Sequence, residues 1–124
     1  MYTAVVLTPI SQQTLINAFR SIIPAEWSVI CHHMTVNMGS LNDGPAAGNF
    51  QTGQTFKLNV KSIAQDDKVM AVGVDCDVPS SNKIKHITLA VNRTGGGKPF
   101  HSNNLFTWQP TSPIQLDGIL EEVQ

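Results

Sequence analysis

The chain has little charge. Of its 124 residues only 14% are Asp, Glu, Lys or Arg, and the formal net charge is −1. Proteins that hold long nucleic acid by its phosphates carry a clear basic excess. No long duplex is therefore expected as a partner, and a small nucleotide or short oligonucleotide fits better. The few cations are clustered: seven of the eight lie between Lys57 and Lys98, and only Arg20 stands apart. Cysteine is scarce too. Cys31 and Cys76 could pair, but no sign of export accompanies them, so they read as free thiols in a reducing compartment. No run approaches the roughly 20 apolar residues of a membrane span. The start of the chain lacks a basic segment followed by an apolar one. The expectation is a cytoplasmic protein with no membrane contact.

Disorder is excluded by what is there. Hydrophobic residues make up 41%, enough for a packed core, and the length suits one domain over residues 1–124. Residues 2–8 are β-branched and apolar and read as a strand ended by Pro9. A helix follows, capped by Thr8 or Ser11. Leu15, Phe19 and Ile22 form its apolar stripe, and Pro24 ends it. Residues 27–38 read as one strand. Residues 39–54, with four glycines, read as a long loop, either a lid or a plain connection. Residues 55–64 and 68–76 form a hairpin around Asp66-Asp67. Pro79–Asn82 is a turn or one short helical turn, 84–92 a strand, 95–113 a loop and 114–123 a final strand.

Two of these strands carry the same pattern. His33-Met34-Thr35 lies in the first and His86-Ile87-Thr88 in the second. Side chains two apart on a strand share a face, so each histidine shares a face with its threonine. By the same alternation His32 points away from His33, and Cys31 points with it. Histidine alone among side chains exchanges protons near neutrality without a shifted pKa. Two facing histidines can divide the work of cleaving a phosphodiester: one takes a proton from the nucleophile, the other gives one to the leaving oxygen. Threonine hydroxyls beside them stabilise charge on the phosphate oxygens. Cys31, His33 and His86 match no zinc-ligand spacing, so neither a metal nor another cofactor is expected.

Paired His-x-Thr motifs of this kind resemble the 2H phosphoesterase superfamily. The matching residues are His33-Met34-Thr35-Val36 and His86-Ile87-Thr88-Leu89, and the order of elements agrees as well. The resemblance implies an α+β fold: two lobes of antiparallel-rich sheet around a central cleft, with one clear helix. It implies catalysis by His33, Thr35, His86 and Thr88. The runs 27–36 and 96–104 look like the compact phage members that degrade cyclic oligonucleotide defence signals, which would act in the host cytoplasm. A metal-independent phosphodiesterase acting on a cyclic nucleotide or oligonucleotide is the leading expectation. The alternatives are a 2′,3′-cyclic phosphodiesterase of RNA ends and a non-catalytic nucleotide-binding sponge. Substrate contacts are expected from Trp108 as a base-stacking platform, and from Lys98, His101, Asn103 and Tyr2. For Lys98 and Asn103 a solvated surface role is the plain alternative, and for Tyr2 it is core packing.

Overall fold

A computed structural model describes residues 1–124. Seven strands and one α-helix run in the order β1 (Tyr2–Leu7), α1 (Pro9–Phe19), β2 (Ser28–Val29), β3 (His33–Met38), β4 (Thr55–Gln65), β5 (Val69–Asp75), β6 (His86–Val91) and β7 (Gln109–Val123). Short 3-10 turns occupy Leu41–Asp43 and Pro99–Asn104. No helix is long and apolar enough to cross a membrane.

The strands do not form two lobes. They lie in the order β6-β3-β1-β7-β4-β5, and β5 pairs back onto β6. Every pairing is antiparallel, so six strands close into a barrel, with β2 as an extra strand on β6. The expected bilobal α+β arrangement around a central cleft is thus replaced by a mostly β closed barrel. Local pattern does not reveal closure, because the β1–β7, β3–β6 and β4–β7 pairings join segments far apart in the chain. A six-stranded barrel has no room for a lumen, and side chains fill it. Val5, Met34, Val36, Leu58, Val60, Met70, Val72, Ile87, Leu89, Leu116 and Leu120 are all buried in one cluster.

The helix starts as its sequence dictates. The Thr8 hydroxyl accepts from the Ser11 amide at 3.2 Å, and Pro9 takes the first turn, where its missing N–H costs nothing. Buried Ser11, Leu15 and Phe19 define the inner stripe. The Ser11 hydroxyl also accepts from the Asp117 amide at 2.8 Å, which ties the helix to β7. The helix ends earlier than Pro24 requires. Arg20 closes it, the Ile22 and Ile23 amides both turn back to the Phe19 carbonyl, and Ile22 stays exposed.

The hairpin forms as expected. The Asp66 carboxylate accepts from the Lys68 and Val69 amides at 2.8 and 3.0 Å. The last strand begins five residues before the expected 114, in spite of Pro110 and Pro113. This part of β7 pairs with β4 alone, since β1 takes only Gly118–Val123. Its other side has no ladder for a proline to break.

Candidate active site

The expected strand 27–38 is broken, and the break shapes the site. Between Val29 and Met34 lie four residues, whereas their partners Ala90 and Ile87 are separated by two. The surplus residues bulge. The Ile30 and Cys31 amides still reach the Leu89 and Thr88 carbonyls, at 2.7 and 3.0 Å, and Cys31 adopts a left-handed φ of 45°. Bulges re-aim side chains, and they occur often beside active sites. Here the bulge reverses two sequence expectations. Cys31 turns into the barrel core instead of sharing the face of His33. His32 swings beside His33 instead of pointing away, with their Nδ1 atoms 2.9 Å apart.

Beyond the bulge the alternation is regular. Met34 and Val36 of β3, and Ile87 and Leu89 of β6, point into the barrel. His33, Thr35, His86 and Thr88 therefore stand on its outer face. The Met34–Ile87 pairing sets the register: His33 comes beside Thr88, and Thr35 beside His86. All four line one cavity of about 360 Å³.

The rest of that cavity comes from the segments laid over the barrel. Tyr2 enters from β1, its ring 4.9 Å from that of His33 and tilted by 36°. Ser81 and Asn82 form one wall. Their turn is bound to β3, where the Ser80 hydroxyl donates to the Thr35 carbonyl and the Ser81 amide to the Val36 carbonyl, each at 2.8 Å. Pro99, Phe100 and Asn103 form the roof. Leu105 and Trp108 anchor this roof against Ala64, Val69, Ala71 and Val91 on the outer side of the sheet. No lining residue is Lys, Arg, Asp or Glu.

Burial governs the electrostatics. It pushes the His33 imidazole down to about 4, and charge on His32 or His86 opposes its protonation further. His86 is also lowered by burial, partly offset by its bond to the Ile84 carbonyl. That bond, at 2.8 Å, employs Nδ1 and leaves Nε2 free. The hydroxyls of Thr88 and buried Ser102 are 2.8 Å apart.

The other residues singled out from sequence separate into two groups. Tyr2 and Asn103 line the cavity. Trp108 does not: it sits under the roof, its indole N–H donating to the Leu105 carbonyl at 3.3 Å and its ring 6.5 Å from that of His86. It lines a smaller space of about 80 Å³. Lys98 is exposed, and its amide donates to His101 Nδ1 at 3.0 Å, so this pair caps the roof turn outside the cavity. Residues 39–54 contribute nothing to the lining; Ala46 is buried in the barrel core, and Leu41 and Phe50 pack against it. Sequence reasoning missed Ile30, Met38, Ser81, Asn82, Pro99 and Phe100 of the lining, and Ser102 behind Thr88. Nothing in the run Pro99–Asn104 distinguishes Phe100, which lines the cavity, from His101, which does not.

The model of the fungal tRNA ligase phosphodiesterase domain family matches residues 14–121. No curated protein and no solved structure matches significantly.

Proposed function

Since the chain belongs to the fungal tRNA ligase phosphodiesterase domain family, a 2H phosphoesterase family of hydrolases, we propose that it opens 2′,3′-cyclic phosphate ends of RNA by two-histidine acid–base catalysis. One observation carries this reading: both His-x-Thr pairs face a single cavity, each histidine beside the other strand's threonine. The family favours the RNA end over a cyclic oligonucleotide, and the phage role has no support from it.

His33, held neutral by burial, takes a proton from the attacking water. The water oxygen bonds to phosphorus, and the bond from phosphorus to one ribose oxygen breaks. His86, charged, delivers a proton to that oxygen. The sum is one water added and one phosphomonoester made. Thr35 and Thr88 donate to the non-bridging oxygens, where charge builds up. With no Lys or Arg in the lining, the only cation available to a bound phosphate is a protonated histidine. The apolar surfaces of Ile30, Met38 and Phe100 suit the face of a base.

The test is to incubate the protein with a short RNA ending in a 2′,3′-cyclic phosphate, in excess chelator, and follow the ends by phosphorus NMR. Conversion to a monoester is expected, and His33→Ala and His86→Ala should each slow it by about a hundredfold to ten-thousandfold. An unchanged cyclic end, or full activity in either variant, rejects the reading. Cleavage of a cyclic dinucleotide in its place moves the substrate to the cyclic oligonucleotide class.

A further inference from the structure

We infer that His32, which the bulge brings against His33, is a positioning residue that fixes which nitrogen of His33 acts. The inference rests on the reading of His33 as the base. Two imidazole Nδ1 atoms 2.9 Å apart can share one proton only, so one ring donates and the other accepts. In a neutral histidine, the hydrogen bond made by one nitrogen sets the state of the other. With His33 as donor, its proton stays on Nδ1 and its lone pair on Nε2. His86 holds its own Nδ1–H on the Ile84 carbonyl, so the proton it delivers as the charged acid is the one on Nε2. Both working histidines then have Nδ1 occupied and act through Nε2.

The partners differ in kind. His86 uses a backbone carbonyl, which every residue carries. His33 depends on one side chain, which reaches it only because Cys31 takes a positive φ. Regular alternation would send His32 to the far face, and the Tyr2 ring packs on His33 as well. When His33 takes the proton from water it becomes a cation, and Nδ1–H then makes a charge-assisted bond to His32, stronger than in the resting enzyme. A third residue that orients a catalytic imidazole and supports its charged form is the arrangement of hydrolytic triads; here a second imidazole fills that place. The titratable groups that face His33 are His32 on the bulge, Tyr2 on β1 and His86 on β6.

The experiment uses the full chain with ring nitrogens labelled with nitrogen-15, and three variants. In the wild type near neutral pH, long-range proton–nitrogen spectra should show His33 with its proton on Nδ1. His32→Leu should release that preference and lower kcat by about tenfold to a hundredfold, by analogy with removal of the hydrogen-bond partner of a metal-bound histidine, with KM little changed. His32→Asn offers an acceptor oxygen near the place of Nδ1 and should recover most of the rate. His32→Asp places a carboxylate there and should move the acidic limb of the pH profile to higher pH. A wild-type His33 with its proton on Nε2, full kcat in His32→Leu, or equal loss in the Leu and Asn variants overturns the inference. If His32→Leu fails to fold, the wild-type spectrum and the Asn variant still decide. If the wild type leaves cyclic ends untouched, the proposed function fails, and the tautomer of His33 still decides this point.

Discussion

At the scale of the residue, the site is governed by desolvation. Both histidines lie below their ordinary value, His33 at about 4. Such a shift fixes the sign of each limb in the pH profile of kcat/KM. In the proposed mechanism the base must be neutral, so activity rises as pH climbs through about 4 and His33 loses its proton. The acid must be charged, so activity falls as His86 loses its proton, below the ordinary histidine value of about 6.5. The expected optimum is therefore acidic. A bound phosphate favours the charged form of His86, so the alkaline limb of kcat should lie at higher pH than that of kcat/KM. Steady-state rates from about pH 4 to 9 check this, and a kcat/KM that climbs to a plateau above neutrality contradicts the role given to His86. The hydroxyls repeat the logic of tautomers: if Ser102 donates to Thr88, the Thr88 proton is free for the phosphate.

At the scale of the element, the roof turn Pro99–Asn104 deserves its own test, because it carries Phe100 and Asn103 and hangs from Gly97. That glycine donates its amide to the Asn92 carbonyl at 2.7 Å. A Cβ there would fall 2.2 Å from the Lys68 carbonyl oxygen and 2.8 Å from that of Asn92, both backbone atoms that cannot swing aside. Gly97→Ala should destabilise by about 1–3 kcal/mol, as overpacking does, and raise KM more than it lowers kcat. Thermal unfolding and steady-state kinetics read the two effects, and an unchanged melting temperature removes Gly97 from this role. Elements of this kind were legible only in part. The hairpin, the cap at Thr8 and the two motif strands follow from alternation and turn chemistry. The bulge at Cys31 does not: no glycine or proline marks it, and it shows only in the register difference between β2–β6 and β3–β6. So the placement of His33 with Thr35 could be read from spacing, while that of His32 could not. The position of Trp108, packed on the sheet and not lining the main cavity, escaped the sequence for a related reason. A tryptophan in a loop reads as a platform for a ligand until the sheet it packs against is known.

At the scale of the whole molecule, the barrel is closed unevenly. β4 and β7 stay paired from Thr55–Ile119 to Ile63–Gln109, whereas β3 and β6 share one ladder pair, Met34–Ile87. Past that pair the turn at Ser80 and Ser81 bonds to β3 in the place of β6. The cavity lies along this seam, and a phosphate held by Thr35 and Thr88 would bridge it. Amide hydrogen exchange should be faster at residues 33–36 and 86–88 than at Leu58 and Leu116. A phosphomonoester product should slow it at the seam first. Equal protection on all strands, or protection by product spread evenly over the barrel, contradicts this view of the seam.

The alternation along β3 and β6 has one more consequence. Met34, Val36, Ile87 and Leu89 fill the barrel, while their immediate neighbours, proposed to act on the phosphate, line the cavity outside it. Enzymes that sink polar groups into their interior commonly trade stability against activity. Here the trade is loosened, because the histidines are dried by the roof and walls and not by the core. The roof rests on the outer side of the sheet through Leu105 and Trp108, apart from the layers that fill the barrel. Inheritance of the frame and adaptation to a substrate are thus separable in this fold.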